Sequence, residues 1–322
     1  AQPREAAQMQ EFSILFPGQG SQTPGMGRDV ADASSEAMEL WKQAEEMSGL
    51  PLRGIFWEGS KEEMEDTRAL QPGLTVVNLT LWQALSRKVK PLAVAGHSLG
   101  EFSALAAAGV LTPEETLQAV SLRGRLMAES DPDGRGAMAA VVKLPLEKVE
   151  SIVEKARQES GQTVLVANYN NPGQYVVSGE KEAVALVGSL AKEAKGRAIP
   201  LAVSGAFHSP LMEKANAEFS KLLKKLTFRK PRVPFYSNAA GGPLAEGESI
   251  RGAMLNQMTS PVRWDELMRS QAEAGIRSWI EVGPKAVLGK MVSRCLEPMG
   301  IESGSISVGL VSDLGSLEKI NG

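Results

Sequence analysis

Residues 92–111, LAVAGHSLGEFSALAAAGVL, decide the fold of this chain. A short apolar run, Leu92 to Ala95, predicts a buried strand, and the alanine-rich stretch after Gly100 predicts a helix. The residues between them fit G-x-S-x-G, in which glycines allow a sharp turn that lifts the serine hydroxyl clear of the backbone. The order strand, sharp turn, helix is typical of an α/β protein with a parallel-sheet core.

The segments on either side extend this pattern. The apolar run from Phe12 to Phe16 predicts another buried strand, since it is short and stops at Pro17-Gly18. Helical stretches follow to about Val89, and WIEVGP at 279–284 predicts a late buried strand. These elements predict one large α/β domain.

Residues 136–203 predict a unit of their own. The pattern gives, in order, a strand at 136–142, a helix at 145–160, strands at 163–170 and 174–180, a helix at 181–195 and a strand at 196–203. That order, βαββαβ, is the ferredoxin-like motif. We therefore expect a large α/β domain formed by 9–135 plus 204–322, with a ferredoxin-like subdomain at 136–203 inserted into it.

Charge and composition exclude several classes of function. The 35 basic and 38 acidic residues give a net charge of -3, which provides no general field to attract nucleic acid or an anionic membrane. The single cysteine, Cys295, permits no internal disulfide, and with two histidines in the chain no zinc site is expected. The first ten residues lack the apolar stretch of a signal peptide. We expect a cytoplasmic protein without a membrane span, in which residues 1–8 are processed or added sequence and Met9 is the native start.

Ser98, at the centre of the G-x-S-x-G turn, is the candidate nucleophile. The start of the following helix would aim the Leu99 amide at a developing oxyanion. An ordinary strand-to-helix turn, with glycines for close packing, would give the same five residues.

A serine nucleophile needs a base, and the chain has only His97 and His208. His97 is the poorer candidate, because adjacent side chains on such a turn diverge, and we expect it to be a support residue. His208 stands before Ser209 and Pro210, a good N-cap and a good first helical residue. A histidine at the start of a helix can also be purely structural.

Arg123 lies on a predicted helix over about 113–129, because Thr112 and Glu115 form a capping-box pattern at its start. It shares a largely apolar face with Val120 and Met127, so its charge needs a partner. Three ways to satisfy this charge remain open at this point: a carboxylate elsewhere in the protein, exposure of the guanidinium to solvent, and a carboxylate on the substrate.

The glycine-rich loop PGQGSQTPGMG, residues 17–27, fits neither nucleotide-binding pattern. Thr23 stands where a dinucleotide fingerprint needs glycine, and Met26 stands where a phosphate-binding loop needs lysine. A glycine-rich turn after a strand can still present the Gln19 amide as an oxyanion donor.

Five motifs in this order resemble the malonyl-CoA:acyl-carrier-protein transacylases, over about residues 12–292. They are FPGQGSQ (16–22), GHSLGEFSAL (96–105), SLRGRLM (121–127), GAFHSPLM (205–212) and QMTSPVRW (257–264). The resemblance implies an α/β-hydrolase-like large domain with the inserted ferredoxin-like subdomain. It also implies malonyl-CoA as the substrate, acyl carrier protein as the partner, and no metal or redox cofactor. Separately, we expect a monomer.

The resemblance also implies a role for each site residue. Ser98 would carry the acyl group and His208 would be its base, oriented by the main-chain carbonyl of Gln257. The Gln19 and Leu99 amides would form the oxyanion hole, and Arg123 would pair with malonate's free carboxylate. Phe207, directly before the catalytic histidine, points to malonyl as the acyl group. There are two alternatives. One is a hydrolase with the same serine and histidine, and the other is a noncatalytic module that binds CoA or a carrier.

Overall fold

A computed structural model describes residues 9–320, which form ten strands and fourteen α-helices. The strands are β1 (Gln10–Phe16), β2 (Val89–Gly96), β3 (Gly136–Val142), β4 (Val164–Asn171), β5 (Gln174–Glu180), β6 (Arg197–Pro200), β7 (Phe235–Ser237), β8 (Gly242–Leu244), β9 (Ser278–Val282) and β10 (Ser307–Val311). The helices are α1 (Arg28–Ala33), α2 (Ser35–Ser48), α3 (Leu52–Glu58), α4 (Lys61–Glu65), α5 (Thr67–Leu85), α6 (Gly100–Ala107), α7 (Pro113–Ala128), α8 (Leu146–Ser160), α9 (Lys181–Glu193), α10 (Glu213–Lys225), α11 (Gly247–Met254), α12 (Trp264–Glu273), α13 (Gly289–Leu296) and α14 (Leu314–Glu318).

The larger sheet has six strands in the order β10-β9-β1-β2-β7-β8. All neighbouring pairs are parallel except β7 and β8. Both faces are covered, because Ile14 and Phe16 of β1 enter one hydrophobic cluster while Leu15 enters another. Burial of both faces explains why these strands are continuous apolar runs in the sequence. The predicted parallel-sheet core of an α/β protein is confirmed.

The carboxyl ends of the parallel strands meet at one edge of this sheet. The loop after β1 carries Gln19, the turn after β2 carries Ser98, and the loop after β7 carries Asn238. In open α/β sheets this edge is where ligands bind. The fold therefore brings together polar groups that are far apart in the chain.

The smaller sheet is antiparallel, with strand order β4-β5-β3-β6. Along the chain its elements run β3-α8-β4-β5-α9-β6, in the order that the sequence predicts. The strand predicted at 196–203 is shorter, since β6 ends at Pro200. Residues of α8, α9 and the sheet form a separate hydrophobic cluster.

Backbone hydrogen bonds join the smaller sheet to the segment that precedes α12. The Tyr169 amide donates to the Val262 carbonyl at 2.9 Å, and the Val262 amide donates to the Ala167 carbonyl at 2.7 Å. The Cys295 thiol of α13 adds a contact of 3.3 Å to the Asn170 carbonyl. The smaller sheet thus supports the chain around residue 260.

Among the described helices, none combines the length and apolar character that a membrane crossing requires.

Candidate active site

Ser98 lies in a tight turn between β2 and α6. Its φ of 53° is in the left-handed region, which non-glycine residues rarely adopt. A Cβ at Gly96 would lie 1.9 Å from the Gly100 carbonyl oxygen, so no side chain fits there. The two glycines of the motif therefore allow the close approach that forces Ser98 outward.

The Ser98 hydroxyl contacts His208, with Oγ and Nε2 2.7 Å apart. The other ring nitrogen, Nδ1, lies 3.1 Å from the carbonyl oxygens of both Gln257 and Ser260. Since a carbonyl only accepts, Nδ1 carries the hydrogen and Nε2 is free to accept the serine proton. Burial, reinforced by the charge of Arg123, lowers the pKa of His208 to about 3. The imidazole is neutral at pH 7.

The backbone around His208 is held on both sides. Phe207 is buried in the main hydrophobic cluster, and His208 itself has a φ of 57°. Ser209 accepts a hydrogen bond from the Leu211 amide, as a cap of the 3₁₀ turn that leads into α10, and its hydroxyl donates to Ala206. His208 therefore precedes a helical segment, as the sequence predicts.

Arg123 lies on α7, whose start at Thr112 has the predicted capping box. The side chain is 1% exposed, so its guanidinium is not in solvent. Its Nη1 donates to Gln71 Oε1 at 3.0 Å and its Nη2 donates to Gln257 Oε1 at 3.1 Å. Its Nε has no acceptor within the described residues, and the guanidinium lies 5.3 Å from the centre of the Phe102 ring.

No carboxylate in the described part of the chain forms an ion pair with Arg123, whose partners are neutral amides. Burial lowers its pKa to about 10, and the charge of Glu101 opposes this shift. The guanidinium therefore stays protonated at pH 7. The sequence left three possibilities open. Two of them, direct contact with a carboxylate from residues 9–320 and exposure of the guanidinium to solvent, do not occur in the structure.

Gln257 contacts three of the groups already described. Its carbonyl accepts from His208, as the family resemblance implies. Its side-chain oxygen accepts from Arg123, and its Nε2 donates to the Ser98 carbonyl at 2.9 Å. These side-chain contacts were not predicted from the sequence. Gln257 therefore ties the serine, the histidine and the arginine into one buried network.

The amides of Gln19 and Leu99 are both free. Neither donates a hydrogen bond to any acceptor in the described residues. The loop that carries Gln19 passes close above the serine turn, since a Cβ at Gly18 would lie 2.7 Å from the His97 carbonyl oxygen. A groove of about 490 Å³ opens beside Gln19 and includes Met64, Leu201 and Lys285. The same Cβ would lie 3.5 Å from the Leu99 nitrogen, so the Gln19 loop runs close to the Leu99 amide. Unpaired amides near a serine nucleophile can stabilise an oxyanion.

His97 lies apart from the Ser98 hydroxyl. Its Nε2 is 2.7 Å from Asn170 Oδ1, and its ring packs against Trp264 with the ring centres 5.3 Å apart. Burial lowers its pKa. The placement fits the expected support residue, and it links the serine turn to the smaller sheet.

Sequence reasoning missed three buried polar residues of this site. Gln71 lies on α5, which is buried along almost its whole length and gives no periodic signal. Asn238 follows a strand of three residues, and Glu101 was read only as part of the helix after the serine. Within residues 9–320, no group of three or more His, Cys, Asp or Glu side chains is placed to hold a metal ion.

Comparison with known proteins identifies the family of this chain. A family model described as acyl transferase domain matches residues 14–315. The malonyl CoA-acyl carrier protein transacylase of Haemophilus influenzae is 37% identical, over 97% of this chain and 99% of its own length. An acyl carrier protein S-malonyltransferase from Vibrio cholerae has a TM-score of 0.88 at 35% identity, with 96% of this chain and 99% of that one covered. A malonyl-transacylase solved in complex with a type II PKS acyl-carrier protein has a TM-score of 0.89 at 36% identity, with 97% and 99% covered. The chain belongs to the acyl transferase family that includes the malonyl CoA-acyl carrier protein transacylases.

Proposed function

We propose that this acyltransferase takes the malonyl group of malonyl-CoA onto Ser98 and passes it to the phosphopantetheine thiol of an acyl carrier protein, for fatty-acid or polyketide synthesis. One observation carries the proposal: Gln257 contacts the serine turn, the histidine and a fully buried arginine that has no ion-pair partner among residues 9–320. A nucleophile, a base and a carboxylate-binding group thus share one site. The names of the relatives support the same activity.

The first half-reaction forms the acyl-serine. Ser98 Oγ attacks the thioester carbonyl while its proton moves to Nε2 of His208, which is 2.7 Å away. The carbonyl oxygen becomes an oxyanion and accepts hydrogen bonds from the Gln19 and Leu99 amides. The intermediate then collapses, the carbon–sulfur bond breaks, and CoA leaves as a thiol with the proton from His208.

The second half-reaction repeats these steps with the carrier's thiol. His208 accepts the thiol proton as the sulfur attacks the acyl-serine, and the serine recovers its proton when the ester bond breaks. The groove beside Gln19 gives a pantetheine arm a place to lie next to one of the two proposed oxyanion donors. The hydroxyl, the imidazole and the amides supply every group the mechanism needs, so it uses no metal or redox cofactor.

Arg123 selects the acyl group in this proposal. Its N–H groups that the two glutamines leave free would bind malonate's carboxylate, a bidentate geometry that guanidinium favours. Phe207 is buried directly before the base and limits the space there.

We also propose the finer domain organisation. The six-stranded sheet and its helices form an α/β-hydrolase-like domain from residues 9–135 and 204–322, and residues 136–203 form a ferredoxin-like subdomain. Separate sheets and a separate hydrophobic cluster support this division. We further propose a cytoplasmic monomer, in which the buried thiol of Cys295 stays reduced.

A brief exposure to malonyl-CoA, followed by intact-protein and peptide mass spectrometry, tests the function. We expect the mass of one malonyl group on the peptide that contains Ser98, and loss of that mass when holo acyl carrier protein is added. Absence of the adduct in a folded protein would leave a noncatalytic binding module. Release of free malonate at the same rate with and without the carrier would indicate a hydrolase.

A further inference from the structure

Asn238 lies beneath the serine turn and is 1% exposed. Its side-chain Oδ1 accepts a hydrogen bond from the Ser98 amide at 2.8 Å, and its Nδ2 donates to the Gly96 carbonyl at 2.6 Å. One amide side chain thus holds both ends of the turn that presents the nucleophile. The contact joins the loop after β7 to the turn after β2, which lie 140 positions apart.

Glu101 fixes Asn238 from the other side. Its Oε2 accepts the Asn238 backbone amide at 2.8 Å, and the carboxyl group is 1% exposed on the first turn of α6. Its second oxygen has no partner in the described residues. Burying a carboxyl group costs free energy unless the group is hydrogen-bonded. The hydrogen bond from the Asn238 amide offsets part of that cost and gives a physical reason for the presence of Glu101 here.

The contacts of Asn238 matter because Ser98 is held in an unfavourable backbone conformation. A non-glycine residue with a φ of 53° persists only where its surroundings fix it. Asn238 accepts from the Ser98 amide, and Gln257 donates to the Ser98 carbonyl, so both polar backbone groups of the residue are fixed. The Ser98 amide is also occupied, which leaves the oxyanion to the Gln19 and Leu99 amides.

We propose that Asn238 is a positioning residue that holds Ser98 Oγ in line with His208, and that Glu101 acts through Asn238 as a hydrogen-bond acceptor. This inference rests on the proposed role of Ser98 as the nucleophile. Neither residue contacts the acyl group in this proposal. Their loss therefore slows the attack by Ser98 and leaves substrate affinity nearly unchanged.

The test compares Asn238→Ala, Glu101→Ala and Glu101→Gln with the wild type. We expect Asn238→Ala to lower kcat by about 10²-fold, the cost of misplacing a reacting group by about 1 Å, with KM for malonyl-CoA changed less than about threefold. Glu101→Ala should show the same pattern. Glu101→Gln, whose amide oxygen can still accept from the Asn238 amide, should recover most of the lost rate. Gln271→Ala removes a buried side-chain amide whose oxygen accepts from Ser13 Oγ at 2.7 Å and from Trp279 Nε1 at 2.8 Å, outside the serine turn, and controls for lost stability.

A small fluorophosphonate probe separates this inference from the proposed function, because it reports the reactivity of Ser98 without malonyl-CoA or a carrier. The Ser98 Oγ–P bond forms, fluoride leaves, and His208 takes the proton. Wild type that reacts with the probe but not with malonyl-CoA would count against the proposed function alone. Asn238→Ala labelled at the wild-type rate would overturn the inference. So would a Glu101→Gln variant as slow as Glu101→Ala, or a rate loss in Gln271→Ala equal to that in Asn238→Ala.

Discussion

Replacing Arg123 by alanine should lower the selectivity of the enzyme for malonyl-CoA over acetyl-CoA. The guanidinium is fully buried and its contacts are to neutral glutamine oxygens, so malonate's carboxylate would give it the direct ionic partner that residues 9–320 do not supply. In Arg123→Ala that carboxylate would be buried without a counterion. An acetyl group has no charge to leave unpaired, and it no longer faces an unsatisfied guanidinium.

The size of the effect follows from the burial. Truncating one member of a buried, hydrogen-bonded charge pair costs about 2 to 5 kcal/mol. At about 1.36 kcal/mol for each factor of ten, this lowers kcat/KM for malonyl-CoA by about 30-fold to 5,000-fold. We expect kcat/KM for acetyl-CoA to stay the same or rise. The gain is limited, because Gln71 and Gln257 already satisfy part of the guanidinium in the absence of a carboxylate.

The measurement is the ratio of kcat/KM for malonyl-CoA to that for acetyl-CoA, in the wild type and in Arg123→Ala. Fluorophosphonate labelling of Ser98 should be run in parallel, because Arg123 also contacts Gln257 and its loss can disturb His208. Normal labelling with a ratio lowered at least about 30-fold is the expected result. An equal loss for both substrates, with labelling slowed by the same factor, would show that Arg123 supports the structure and does not select the substrate.

Three further results are expected. Ser98→Ala should abolish the malonyl adduct in mass spectrometry while its urea unfolding midpoint stays near that of the wild type, and transfer at an undiminished rate would refute the acyl-serine. His208→Ala should slow acylation by about 10² to 10⁴-fold, measured by quenching the reaction and analysing the protein by mass spectrometry. His97→Ala should slow acylation less. A larger loss in His97→Ala would indicate that His97, and not His208, is the base. Probe labelling of the wild type should change little between about pH 5 and pH 7. The neutral imidazole of His208 would act as the base, and it becomes protonated only as the pH falls toward the His208 pKa of about 3. A half-loss of labelling near pH 6.5, the ordinary histidine value, would contradict this.

Local signals predicted the parts of the fold that local physics determines. The capping box at Thr112 and Glu115 placed α7, and its apolar periodicity placed Arg123 on the buried face. The strand and turn at residues 92–100 placed Ser98 at the carboxyl end of β2. Each of these features depends on residues within a few positions of one another, so the sequence alone was enough.

The parts that were missed depend on contacts between distant segments. Gln71 stands next to Pro72, a residue that usually ends a helix, inside a helix that is buried almost throughout. Its partner Arg123 lies 52 positions away, and no pattern near Gln71 indicates that contact. Asn238 similarly reaches Ser98 only because β7 lies beside β2 in the sheet. Strand order follows from tertiary packing, which a single sequence does not display.

The neutral partners of Arg123 also bear on how the site can be selective. A carboxylate of the protein in direct contact would neutralise the guanidinium and compete with the substrate for its N–H groups. Glutamine oxygens instead orient the guanidinium through hydrogen bonds and leave its charge in place. Burial raises the pKa of Glu101 to about 8, so this nearby carboxyl group is largely protonated at pH 7 and does not neutralise Arg123. Because Gln257 also contacts Ser98 and His208, the residue that would orient a carboxylate site at Arg123 also contacts the proposed nucleophile and the proposed base. A malonyl group bound to Arg123 would thus be positioned relative to Ser98 by a single residue, Gln257. Recognition of the malonyl carboxylate and attack on the thioester would then depend on the same side chain.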